Sequence, residues 1–241
     1  MPSGANRLAS LIIPIAIFCA CLAIDLNTST RLTSDIGRSS LLALAAAFMQ
    51  LLVILTVVPW WSATLIGESS FGALLAAMRV TAMVVSTAFV IVLLTYLQAQ
   101  GAVVEVLKVQ AVVLGVGVFV VGAAASLRFL FRSVPGAAVF STLAGVLLAA
   151  TPFWGNILIQ WANEAWKPWA IGFVVKATPL SACSSAVGYD LFRGKTLYVL
   201  SAVSDYRYDL PTWWLYALIA GAAGILLMEL AAFLRRRSAK A

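Results

Sequence analysis

The sequence predicts an all-α integral membrane protein. It should have six transmembrane helices, a short cytoplasmic helix after the second span, and an outer re-entrant or interfacial hairpin before the last. Three observations carry this reading. Apolar residues make up 63% of the chain and charged residues only 10%, where a soluble domain has about a quarter of its residues charged. The apolar residues gather in six long runs, the charges fall mostly between them, and the mean hydropathy is +1.01. No run alternates polar and apolar residues over about ten positions as a transmembrane strand does, and helices satisfy their own backbone polar groups in lipid.

The runs are Leu8–Ile24, Leu41–Pro59, Thr81–Leu97, Val109–Ser126, Ala137–Ile157 and Trp213–Leu234. Each approaches the roughly 17–25 helical residues that cross a hydrocarbon core of about 30 Å. They read as a single transmembrane domain over residues 1–241, with no soluble domain attached. The first run also admits a signal-peptide reading, because Arg7 precedes it and small residues occur among Cys19–Ala23. That reading would leave five spans and put the termini on opposite faces.

Orientation follows from Lys and Arg in the gaps. With both termini inside, the cytoplasmic segments hold Arg7, Arg79, Arg128, Arg132, Arg235, Arg236, Arg237 and Lys240. The short outer gaps hold only Arg31, Arg38 and Lys108. The long gap before the last span, residues 158–212, carries five more cations, but at about 55 residues it nears the length where the rule weakens. The short gaps therefore favour cytoplasmic termini.

The net charge of +7 could suggest nucleic acid. However, Arg235–Arg237 directly follow a span and read as an anchor to anionic headgroups, so no nucleic-acid partner is expected. The chain has no histidine, which removes His-ligated haem, H-E-x-x-H zinc sites and Ser-His-Asp catalysis. Cys19 and Cys21 are two apart on one predicted helix and point away from each other. Cys183 has no evident partner, so no metal, cofactor or disulfide framework is expected. Gly188 to Thr196 imitates a phosphate-binding loop, but five residues separate Gly188 from Gly194 where four are needed, and no strand precedes it. With no carboxylate pair or Ser-Lys pair at one depth, no catalytic residue is expected, and the chain reads as a non-enzyme.

Ionisable groups are nearly absent from the runs. Glu229 alone lies clearly inside one, six residues before Arg235 and so roughly 9 Å from that end. It could form an intramembrane ion pair with Arg128, Arg132 or a residue of the terminal arginine cluster, or snorkel to the interface, or relay motion through the last helix. Gln50, Ser86, Thr87, Ser141, Thr142 and the glycines Gly115, Gly117, Gly122, Gly221 and Gly224 read as helix-packing positions.

Two gaps stand out. Residues 60–79 read as a surface helix whose apolar face holds Leu65, Phe71, Leu74, Leu75 and Met78. Glu68 would stand at its start, where a carboxylate suits the positive end of the helix dipole. In the outer hairpin region 158–212, Trp166–Val175 is followed by Thr178-Pro179-Leu180. The stretch is too apolar for a free loop and too interrupted by Pro168 and Pro179 to span.

This layout resembles the ABC-2 type permeases, the membrane subunits of ATP-driven exporters. Glu68-x-x-x-Gly72-x-Leu74-Leu75 is similar to that family's Glu-x-x-x-Gly-Thr-Leu coupling segment, with Ala73 in place of Thr. Thr178-Pro179-Leu180 resembles its Asn-Pro-Leu. Gly122–Ser126 with Arg132 and Pro211-x-Trp213-Trp214 through Arg237 resemble its fourth and last spans. The resemblance covers most of the chain. It implies a bacterial plasma (inner) membrane half-transporter that pairs with a similar permease as a homodimer or heterodimer and couples to a separate ATPase subunit. The coupling contacts would be Glu68, Phe71, Gly72, Leu74, Leu75 and Arg79, with the outer hairpin gating release. Sparse buried charge suits an apolar or amphiphilic cargo. The competing expectation is a non-transporting subunit of a larger membrane assembly.

Overall fold

A long valine-rich helix forms the axis on which most of the other described helices pack. The computed structural model describes residues 38–68, 72–99, 103–190, 203 and 206–238, and every regular element among them is helical. The helices are α1 (Arg38–Thr56), α2 (Val58–Glu68), α3 (Gly72–Ala99), α4 (Val103–Phe131), α5 (Val134–Ala149), α6 (Thr151–Trp161), α7 (Lys167–Ala177), α8 (Pro179–Val187) and α9 (Trp213–Ser238).

α4 is that axis. Val106, Val109, Val112, Val113, Val120 and Val121 are buried. β-branched residues favour helices only weakly in water, but in lipid an unsatisfied backbone group costs far more than a propensity difference. Glu105 in its first turn and Arg128 in its last suit the two ends of the dipole. The main core joins α4 to α1, α3 and α8 through Ala47, Ile54, Val80, Val84, Ala182 and Cys183.

Helix directions follow from the contacts. Gln50 of α1 meets Gln110 of α4 and Ile54 lies beside Gly117, so these two helices run parallel. Val80 of α3 meets Gly117 while Ala73 packs near Ala125, so α3 runs antiparallel to α4. α9 runs parallel to α4, with Ala217 against Gly115, Gly224 against Gly122, and the Ser126 hydroxyl donating to the Leu227 carbonyl at 3.1 Å.

Among the described residues, two helices, α4 and α9, are long and apolar enough to cross a bilayer, and counting each bent pair as one crossing gives up to five. The run Leu41–Pro59 becomes α1, which bends by 40° into α2 at Val57. Pro59 in the first turn of α2 has no N–H to continue the ladder. The run Ala137–Ile157, expected as one span, is two helices, α5 and α6, bent by 69° at Ala150. Pro152 opens α6, and Thr151 and the Trp154 indole donate to the carbonyls of Leu147 and Leu148 that the break frees. Thr81–Leu97 lies within α3. The predicted first span lies outside the described residues.

The helix expected over residues 60–79 is not one element. Its first part is α2 and its second part is the start of α3, which continues into the third run. Ala63, Ile66, Ala76 and Val80 are buried against the bundle. No Pro or Gly interrupts α3 after Gly72, so the helix propagates once begun.

Candidate functional site: an amphipathic cavity beside a broken helix pair

α7 and α8 meet at 76° around Thr178. Pro168 and Pro179 do not simply interrupt this region: each sits in the first turn of a helix, where its missing N–H would have had no partner. Thr178 caps α8 by accepting from the Leu180 amide, and its own hydroxyl donates to the Ala149 carbonyl at 3.1 Å. Ser181 donates to the Val175 carbonyl, and the Tyr216 hydroxyl donates to the Ala177 carbonyl at 3.0 Å. The carbonyls that a helix C-terminus leaves open are thus occupied by side chains. That is what a break at membrane depth requires. Pro179 is buried and Leu180 packs against the main core, while Pro168 is exposed.

Beside this break lies a cavity of about 640 Å³. Its walls come from α1, α4, α5 and α9, and its mouth from Lys176, Ala177 and the segment Asp209–Thr212. The volume falls within the roughly 300–1,000 Å³ of small-molecule sites. The Tyr216–Ala177 hydrogen bond draws the first turn of α9 to the end of α7, which brings the segments carrying Lys176 and Asp209 to one mouth. Beyond it the walls are almost wholly apolar, with Leu55, Phe119, Val120, Leu148 and Ala223 among them. Ser141 is the polar exception in the deep wall, only 3% exposed, and its hydroxyl has no hydrogen-bond partner. Leu215 and Ile219, both exposed, edge the cavity on the α9 side. Hydropathy marks a span as apolar without showing which faces leave space between them, so nothing in the one-dimensional pattern marks Lys176 or Asp209 as site residues.

The expected coupling residues fall at the opposite end. Glu68 closes α2, which corrects its expected place at a helix start, and Gly72 opens α3. Leu74 and Leu75 are exposed on the first turn of α3. Arg79 lies about two turns into α3, with its guanidinium 5.4 Å from the Trp61 ring. Phe71 lies outside the described residues.

The proposed intramembrane ion pair is not formed. Glu229 is exposed and makes no ion pair with Arg128 or Arg132 among the described residues. α9 turns Gly224, Met228 and Ala231 toward the bundle, which leaves Glu229 off the packed face. Arg128 ends α4 with its Nε buried and unpartnered, and Arg132 forms the turn into α5 with φ 52°. Arg235 instead donates to the Ile66 carbonyl at 3.1 Å, tying the end of α9 to α2.

Gly188, the first glycine of the apparent phosphate loop, is a helix cap. It has φ 70°, its amide donates to Ser185, and that of Tyr189 donates to Ser184. This is the Schellman pattern. No family model, curated protein or solved structure matches this chain.

Proposed function

We propose that this chain is the permease subunit of an ABC-2 type ATP-driven exporter in a bacterial plasma membrane. Its cavity beside the α7–α8 break would hold an amphiphilic cargo during passage. The cavity is the observation that carries the reading: an apolar chamber between helices, open at a charged mouth and edged by exposed apolar residues of α9. Such a chamber takes an apolar or amphiphilic molecule and is poorly suited to a bare ion, which needs coordinating oxygens or charge in the wall.

Two further features support it. One end of the bundle carries Arg128, Arg132 and Arg235–Arg237 with Glu229, while the other mixes Glu105, Glu164, Asp190 and Asp209 with Lys108, Lys167, Lys176 and Arg207. By the positive-inside rule the arginine end is cytoplasmic, which puts the cavity mouth outside and the C-terminus inside. At the inner end, the exposed Leu74 and Leu75 offer a separate ATPase subunit an apolar foothold. Two permease copies and two ATPase subunits would make the working unit.

The test is co-expression with an ATPase encoded beside this chain, followed by purification and an ATP-hydrolysis assay. A stable complex is expected, with hydrolysis stimulated by the permease. Leu74→Asp combined with Leu75→Asp should release the ATPase or abolish the stimulation. If the wild-type chain binds no ATPase, or the double variant binds and stimulates as the wild type does, the exporter reading fails and a non-transporting assembly subunit takes its place.

A further inference from the structure

The mouth of the cavity carries two opposite charges that do not neutralise each other. Lys176 and Asp209 both line it, both are exposed, and neither forms an ion pair among the described residues. Elsewhere on the same side, opposite charges do meet, as in Lys167 with Glu164 at 3.2 Å. The tyrosine nearest in sequence to Asp209 is committed elsewhere, since the Tyr208 hydroxyl donates to both carboxylate oxygens of Asp190 at 3.0 Å. Lys176 and Asp209 are therefore available to a ligand with a charge of each sign.

From Thr212, which immediately precedes α9, the cavity runs along that helix to Ala223, about 16 Å at 1.5 Å per residue. That is close to half of the about 30 Å hydrocarbon core, the depth of one leaflet. Its α4 wall over the same depth includes Val116, Val120 and Ala123. Hydrocarbon of leaflet length fits this chamber, and a headgroup would then emerge at Lys176 and Asp209.

We infer that the cavity binds a zwitterionic amphiphile, with its phosphate at Lys176, its ammonium at Asp209 and its hydrocarbon tail between α4 and α9. An anionic amphiphile would gain the lysine and face repulsion from the aspartate, and a cationic one the reverse. The headgroup class thus goes beyond an apolar cargo, and it rests on the cavity being the cargo site.

The purified full-length chain in nonionic detergent is titrated with lysophosphatidylethanolamine and with lysophosphatidylglycerol of the same acyl chain, followed by tryptophan fluorescence. The wild type should bind the ethanolamine lipid about fivefold more tightly, the scale of one exposed ion pair. Asp209→Asn should remove that preference, Asp209→Lys should reverse it, and Lys176→Gln should weaken both lipids about fivefold. Ala220→Trp, which fills the chamber, should abolish binding of both, with far-UV circular dichroism reporting the fold. Should that variant not fold, the charge variants at the two exposed positions still decide the matter. Equal affinities in the wild type, or a preference untouched by Asp209→Asn, would overturn the zwitterion assignment and leave the cavity as an amphiphile site. Absence of binding by the wild type, or full binding by a folded Ala220→Trp, would overturn both. None of these outcomes depends on an ATPase, so failure of the coupling model is scored separately.

Discussion

Gln50 and Gln110 satisfy each other through two amide hydrogen bonds of 2.9 and 2.8 Å, buried between α1 and α4. Removing one partner leaves a buried amide unmet, which costs about 1–3 kcal/mol, whereas replacing both with apolar groups can be nearly neutral. Gln50→Leu should therefore lower stability by about 2 kcal/mol in detergent unfolding, and adding Gln110→Leu should restore most of it. Equal losses that simply add would show that the two amides are not coupled. Arg132 is a second residue-scale case. It takes φ 52°, a region that costs a side-chain-bearing residue about 1–2 kcal/mol. Arg132→Gly should raise stability by about 1 kcal/mol in the same assay, and a loss would show that its side chain holds the turn. Glu229 teaches the complementary lesson. Its spacing from the arginines allowed an ion pair, but the face on which α9 packs left it outside.

At the scale of elements, α4 and α9 approach closely enough that their backbones touch. A Cβ added at Gly224 would lie 2.5 Å from the Val118 carbonyl oxygen and 2.6 Å from the Phe119 nitrogen, and backbone cannot give way as a side-chain tip can. At Gly221 the nearest atom would be 4.0 Å away, which is ordinary contact. Gly224→Ala should thus destabilise the pair by about 1–3 kcal/mol, while Gly221→Ala should change stability by less than about 0.5 kcal/mol. Unfolding of the two variants side by side in mixed micelles checks the contrast, and equal effects would mean the helices slide to accommodate the methyl. Prolines act at the same scale. Pro59, Pro135, Pro152, Pro168 and Pro179 all sit in first turns, so the chain turns by starting new helices, and the capping groups at Thr151, Thr178, Ser181 and Tyr216 keep those turns satisfied.

Across the whole molecule, the two ends differ in charge and in aromatic content. Trp161, Trp166, Trp169 and Trp214 are exposed at the mixed-charge end, with Trp169 stacked on Phe173 at 5.7 Å, as suits a headgroup-level belt. Topology can be tested with single cysteines in a background where Cys19, Cys21 and Cys183 are replaced by alanine. Ala165→Cys should react with an impermeant maleimide on intact cells, and Ser238→Cys only after permeabilisation. The reverse pattern would invert the bundle and place the cavity mouth in the cytoplasm.

Composition and hydropathy alone determined that this is a helical chain built for lipid, because burying so little charge among so many apolar residues has no stable solution in water. They also located α4, α9 and the interruptions at Pro168 and Pro179, since those follow from local backbone rules. The bend after Thr56 was not among them, because it falls inside the run Leu41–Pro59 that reads as one span. Which helices run parallel, which glycines touch backbone, where Glu68 falls and whether Glu229 finds a cation were decided by tertiary packing. So was the cavity. A chamber between helices is a property of several faces at once, and one-dimensional hydropathy counts residues without recording what they leave empty between them. Lys176 and Asp209, 33 positions apart in the chain, acquire a common meaning only when Tyr216 joins the start of α9 to the end of α7.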